Sequence, residues 1–98
     1  MINELETIKQ KLFPFFQNKP IVRAYLFGSY VRDEATEKSD IDILVELDYS
    51  QPIGWEFLSW KDELEELLKK KVDLVSARGV SKHLQPLIDR EKRMLYAR

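Results

Sequence analysis

The stretch GSYVRDEATEKSDID, residues 28–42, decides how this chain is read. Before it stands IVRAYLF, residues 21–27, whose β-branched and aromatic composition predicts a buried strand closed by Gly28. After Lys38 and Ser39, the run DIDILVEL, residues 40–47, returns to strand composition. Between the two strands, YVRDEAT reads as a short helix or helical turn and EKS as a polar connector. Gly28 and Ser29 therefore sit where a strand gives way to a helical turn. Glycine there lets a phosphate approach the backbone, N–H groups at the helix start point outward, and the Ser29 hydroxyl can reach a phosphate oxygen. Asp40 and Asp42, two apart on a strand, project from one face, while Ile41, Ile43 and Val45 take the other, towards the helices. Two carboxylates so close repel each other unless a cation lies between them. Hard oxygen ligands select Mg²⁺ or Mn²⁺, with triphosphate oxygens completing the shell.

The pattern extends in both directions. Asp73 is a lone acid in KVDLV, residues 71–75, a third short strand where an apolar residue would otherwise be expected. A neighbouring strand would bring it within reach of the same metals. Upstream, Ile2, Leu5, Ile8 and Leu12 fall at helical spacing over residues 2–13, and Pro14 is expected to end or kink that helix. Asp48 to Pro52 form a loop, with Pro52 suited to the first turn of a helix running to about Lys70. Ile53, Phe57, Trp60, Leu64, Leu67 and Leu68 make its apolar stripe, and Glu65–Lys69 and Glu66–Lys70 are i,i+4 pairs on its wet side. Gly79 marks a turn, and a last helix covers about Ser81 to Glu91 with Pro86 in its first turn. RMLYAR, residues 93–98, adds a short edge strand. The order αβαβαβα predicts a single α/β (α+β) domain over residues 1–98, a small sheet with helices packed on it.

Bulk composition narrows the function classes. A chain of 98 residues has room for one core. Charged residues reach 34% yet cancel to a net charge of -1, which argues against a general electrostatic grip on nucleic acid. Nucleotides stay open, because bound metal ions supply positive charge locally. With no cysteine, neither a disulfide framework nor a thiolate metal site can form. No apolar run approaches the roughly 20 residues that span a bilayer. The start MINELETIKQK has none of the features of a signal peptide, so no membrane contact and a cytoplasmic location are expected.

A glycine–serine turn is ordinary on its own, and an Asp-x-Asp pair at a strand start is often just a solvated end. The joint pattern is rarer. At residue frequencies near 5–7%, Gly-Ser, ten residues, then Asp-x-Asp arises by chance in about one chain in a thousand of this size. With strand AYLFGS, the Trp-containing helix and strand KVDLV, it makes nearly the whole chain resemble the minimal nucleotidyltransferases of the DNA polymerase β-like superfamily. The small size and the wording SDIDILVE point to that branch.

The resemblance implies the polymerase β-like fold, with a small mixed β-sheet, and assigns roles residue by residue. Gly28 and Ser29 match the pair that grips the triphosphate, Asp40 and Asp42 the metal ligands, and Asp73 the third carboxylate. Arg32 matches an arginine usual in this branch; it meets phosphate or, alternatively, pairs with Asp33 or Glu34. Family members often have glycine at the place of Asp33 and a small residue at that of Val31. The implied reaction is in-line attack on the α-phosphorus of ATP, supported by Mg²⁺, with two ions expected. Minimal nucleotidyltransferases commonly bind a small helical HEPN ribonuclease as its antitoxin, some by transferring AMP to a tyrosine of that toxin. Such an adenylyltransferase is the first expectation, and a binding module that neutralises the toxin by contact is the alternative. A sugar-nucleotide glycosyltransferase needs a much larger nucleotide-binding domain. His83, the single histidine, reads as a surface residue, and Lys69, Lys70 and Lys71 as a helix end that complements the macrodipole. Trp60 belongs to the core stripe, whereas Trp55, with Tyr49 near the site-side loop, is a candidate for contact with a partner.

Overall fold

Two parallel strands joined through a helix organise the molecule, whose computed structural model describes residues 4–98. β2 (Ile41–Leu47) leads through α2 (Glu56–Leu68) to β3 (Val72–Ser76), and the two strands pair in parallel. β1 (Ile21–Phe27) lies antiparallel to β2 on its other side, and β4 (Arg93–Ala97) lies antiparallel to β1. The sheet is therefore mixed and four-stranded, in the order β3-β2-β1-β4. α1 (Glu4–Gln17) precedes it, and α3 (Gln85–Glu91) comes just before β4. A 3-10 turn, Gly28–Tyr30, follows β1, and another, Ala77–Gly79, follows β3.

Alternation along β2 sorts the two faces of the sheet. Ile41, Ile43 and Val45 are buried in the main core with Leu12 and Phe16 of α1 and Trp60 and Leu64 of α2. The opposite face carries Asp42, Leu44 and Glu46, and there Ile88 of α3 is buried above Leu44, around a small cavity the two share with Lys92. Helices thus cover one face fully and the other in part, and the partly covered face bears the acids. Among the described residues no helix is long and apolar enough to cross a membrane.

Some local expectations need correction. Pro14 does not end α1, which continues to Gln17. The missing N–H costs about 3 kcal/mol, but the next turn buries Phe15 and Phe16, each worth roughly 1.5–3 kcal/mol. The Asn18 side chain also donates to the Pro14 carbonyl at 3.0 Å. Of that helix's predicted stripe, Leu5, Ile8 and Leu12 pack in the core, while Ile2 falls outside the described residues. Pro52 lies in the loop rather than in the first turn of α2, which begins at Glu56. Leu67 points to solvent, at 45% exposure, instead of joining the core stripe.

The i,i+4 pairs are also absent. α2 stops at Leu68, and Lys69 turns left-handed at φ 56°. Lys69 then pairs with Glu66 at 2.8 Å, and Glu65 accepts the Val72 N–H at 2.9 Å. Lys70 reaches instead to the Glu37 carbonyl at 3.4 Å. The predicted helix from Ser81 is shorter, starting at Gln85, with Pro86 in its first turn as expected.

The left-handed residue at the end of α2 gives a test. Glycine adopts that conformation without the crowding a Cβ causes. The Glu66–Lys69 pair that would be lost is highly exposed and contributes little. Lys69→Gly should therefore raise stability by about 1 kcal/mol, read as a higher midpoint in urea denaturation.

Candidate active site

Strand pairing sets the positions of the acids before any side chain is considered. Asp42 is the register partner of Asp73 on β3 and of Phe27 on β1. Adjacent strands lie about 4.8 Å apart, so the Asp42 and Asp73 side chains rise from one face as neighbours. Asp40 sits just before β2, exposed, at the mouth of a bay that it shares with Lys38, Ser39 and Lys69 to Lys71. Asp73 is exposed at the sheet edge, and Asp42 is half-buried between its neighbours.

The electrostatics follow from that placement. Burial, then the charges of Asp73 and Asp40, push the Asp42 carboxyl up from 3.8 to about 6, with Glu91 adding to the rise and Arg32 opposing it. Among the described residues, no three acidic or histidine side chains are drawn together closely enough to hold one cation. Like charges standing side by side keep apart. The donor set is nonetheless of the right kind for Mg²⁺: hard carboxylate oxygens on one face, one of them held in a state that a nearby positive charge would relieve.

The Gly28 turn meets Asp42 directly. Gly28 has φ +82°, a conformation that side chains disfavour, and a Cβ there would collide with the Asp42 carboxylate, approaching Cγ to 3.0 Å. The glycine is needed to make room for the carboxylate, a reason not visible in the sequence. Its carbonyl accepts the N–H groups of Val31 and Arg32 at 3.0 and 3.1 Å. Its own N–H is taken by Glu91 Oε1 at 2.9 Å. The Ser29 hydroxyl has no hydrogen-bond partner among the described residues, so it remains available on the turn.

Arg32 takes the ion-pair alternative. Its Nε donates to Glu34 at 2.6 Å, and Nη1 lies 3.1 and 3.0 Å from the two oxygens of Glu91. Asp33 does not pair with it; Asp33 instead adopts φ 59°, a conformation that glycine takes more readily. Glu91 is the residue that sequence reasoning missed. A lone glutamate at a helix end carries no motif, and only the antiparallel pairing of β4 with β1 returns the end of α3 to Gly28.

Of the two aromatic candidates for partner contact, Tyr49 does not lie by the site-side loop, and Trp55 is exposed. β2 runs away from Asp42, so Tyr49 follows its far end, roughly 20 Å along the strand direction from the acids. There its ring stacks under the Arg78 guanidinium at 3.8 Å. α2 starts at that same end, and Trp55 beside it is 86% exposed.

A mixed sheet with paired acids on two adjacent strands and a glycine–serine turn against them defines a nucleotidyltransferase architecture. The chain belongs to the polymerase beta, nucleotidyltransferase family, whose profile matches residues 10–98. A Methanocaldococcus jannaschii protein named as a protein adenylyltransferase is 42% identical over 79 residues, 81% of each chain. A solved structure described as a minimal nucleotidyltransferase superposes with a TM-score of 0.76 at 33% identity, covering 93% of this chain and 95% of that one. A crystal structure of a toxin–antitoxin with AMP-PNP contains a chain with a TM-score of 0.75 at 26% identity, covering 92% and 73%. The expectations of fold, family and enzyme class are thereby met.

Two outcomes follow from the Asp42 environment. Because its folded pKa lies above the ordinary value, its charge opposes folding, and the metal-free protein should lose stability as pH rises from about 4 to 6. Full burial would make such a shift worth ~3 kcal/mol, which solvent screening of a half-buried group cuts to about 1 kcal/mol. Asp42→Asn should flatten that slope and raise the metal-free melting temperature at pH 7, as measured by thermal denaturation in EDTA. Gly28→Ala should instead cost about 2–4 kcal/mol, from the left-handed backbone and the collision with Asp42 together. Chemical denaturation of the two variants beside the parent separates these opposite signs.

Proposed function

We propose that this chain transfers AMP from ATP to a hydroxyl group, a tyrosine in the first instance, on a HEPN-type helical toxin, and thereby acts as its antitoxin. The observation that carries the reading is the in-register Asp42–Asp73 pair lying against the Gly28–Ser29 turn. Its support from relatives is the protein adenylyltransferase name of the Methanocaldococcus jannaschii protein and the toxin–antitoxin setting of the AMP-PNP structure.

In this reading Ser29 and the backbone around Gly28 receive the triphosphate, and Asp40, Asp42 and Asp73 would hold Mg²⁺. The bound metal would lower the pKa of the attacking hydroxyl and neutralise charge on the leaving group. The acceptor oxygen forms its bond to the α-phosphorus as the bond from that phosphorus to the bridging oxygen breaks, and pyrophosphate leaves. Asp73, exposed at the edge strand, is placed to accept the hydroxyl proton from an acceptor approaching in solution. That exposure suits an acceptor carried on another macromolecule, because among the described residues no wall closes over it.

The test is incubation with Mg²⁺, ATP and the toxin, followed by intact mass of both proteins. A mass gain of AMP units on the toxin is expected, lost in Asp42→Asn with retained fold. Neutralisation by Asp42→Asn as complete as by the parent would establish the contact-only alternative and remove the catalytic reading.

A further inference from the structure

Gly28 and Glu91 stand 63 positions apart in sequence, yet the N–H of the one donates to the carboxylate of the other. Glu91 closes α3, and its side chain is only 12% exposed. One oxygen accepts the Gly28 N–H at 2.9 Å, and both meet the Arg32 guanidinium at 3.1 and 3.0 Å. Arg32 in turn donates its backbone N–H to the Gly28 carbonyl at 3.1 Å. The three residues form a closed ring: glycine to glutamate, glutamate to arginine, arginine back to glycine.

A half-buried carboxylate in this place needs a reason. It adds a negative charge to a neighbourhood that already holds Asp42, Asp40 and Asp73, and so opposes the folding of the site. If a hydrogen-bond acceptor for one N–H were all that was required, a neutral side chain would serve with less repulsion. What the charge adds is a fixed arginine. With Nη1 shared between the two oxygens of Glu91 and Nε given to Glu34, the Arg32 guanidinium is kept beside these glutamates rather than collapsing onto the acids at the sheet.

We infer that Glu91 is a positioning residue for nucleotide binding: it locks Gly28 in its left-handed conformation and holds Arg32 aside, so that the Ser29 hydroxyl faces the incoming triphosphate. The inference rests on the reading that this turn receives the triphosphate, and it changes one part of it. The Gly28 N–H is occupied by the protein's own carboxylate, so phosphate recognition falls to Ser29. The turn is thereby organised before nucleotide arrives, which lowers the ordering cost of binding. Glu91 does not touch the reacting atoms. It acts through Gly28 and Arg32, and its loss should appear in affinity rather than in the rate at saturation.

The experiment compares Glu91→Ala and Glu91→Gln with the parent, using Mg²⁺ and AMP-PNP in calorimetric titration, ATP in steady-state transfer to the toxin, and amide exchange at Gly28. For Glu91→Ala, nucleotide affinity should fall at least tenfold, KM for ATP should rise alike, and kcat should stay within threefold. Exchange protection of the Gly28 N–H should be lost. Glu91→Gln keeps an acceptor for that N–H but not the charge that holds Arg32, so protection should be retained while affinity recovers only in part, to about three- to fivefold below the parent. Parent-like nucleotide affinity in a folded Glu91→Ala would overturn the inference, as would a fall in kcat with KM unchanged. Should Glu91→Ala fail to fold, Glu91→Gln decides, since full parental affinity and KM there would show that the charge positions nothing. A parent chain that binds no AMP-PNP with Mg²⁺ would instead remove the nucleotide reading itself, and this inference with it.

Discussion

Two aspartates set side by side on paired strands are the constraint to which the rest of this structure answers. The parallel register of β2 and β3 fixes Asp42 opposite Asp73, and nothing in the sheet itself offsets their repulsion. The main core therefore lies on the other face, where Ile41, Ile43 and Val45 pack under α1 and α2. Burial there anchors the strands firmly enough to tolerate unfavourable charge on the open side. The close passage of Gly28 against the Asp42 carboxylate belongs to the same arrangement, since only a residue without a side chain leaves space for it. The cost of this concentration of negative charge falls on a fold whose apolar side is well filled.

What could be read from the sequence was whatever has a short period or a rare joint spacing. The strands around residues 21–27 and 41–47 announce themselves through β-branched and aromatic runs, and Asp40 and Asp42 through their placement at the head of the second. Asp73 was legible because an acid interrupts an otherwise apolar strand, and the parallel crossover then puts it beside Asp42. Pro14 misled because local propensity, worth a few kcal/mol, was outweighed by the burial of Phe15 and Phe16, which no local rule contains. The predicted Glu65–Lys69 pair failed for a different reason: one left-handed residue at the end of α2 breaks the helical spacing on which such a pair depends.

The least legible features were those made by strand order. β4 follows three other strands in sequence yet lies beside the first. That single topological fact brings Glu91 to Gly28 and Arg32. The same order separates Tyr49 and Trp55 from the acids, because residues close to β2 in sequence follow its far end. Reading from neighbours along the chain therefore set Tyr49 too near the acids and passed over Glu91. The departure at Asp33 was visible as a departure, but its meaning came only from the backbone, which turns left-handed there.

The pairing of β1 with β4 also has a consequence in time. A ribosome delivers the Gly28 turn, Asp42 and Asp73 long before it delivers Glu91. Until α3 and β4 have emerged and docked, the turn lacks its carboxylate brace and the Gly28 N–H has no partner. A nascent chain can thus hold much of its main core while its Gly28 turn is still unassembled. Closing so long a loop is the slow kind of contact in a small domain. The ordered form of the turn is accordingly reached late in synthesis, and a truncated product that stops before residue 91 would carry Asp40, Asp42 and Asp73 without the contact that holds Gly28 to α3.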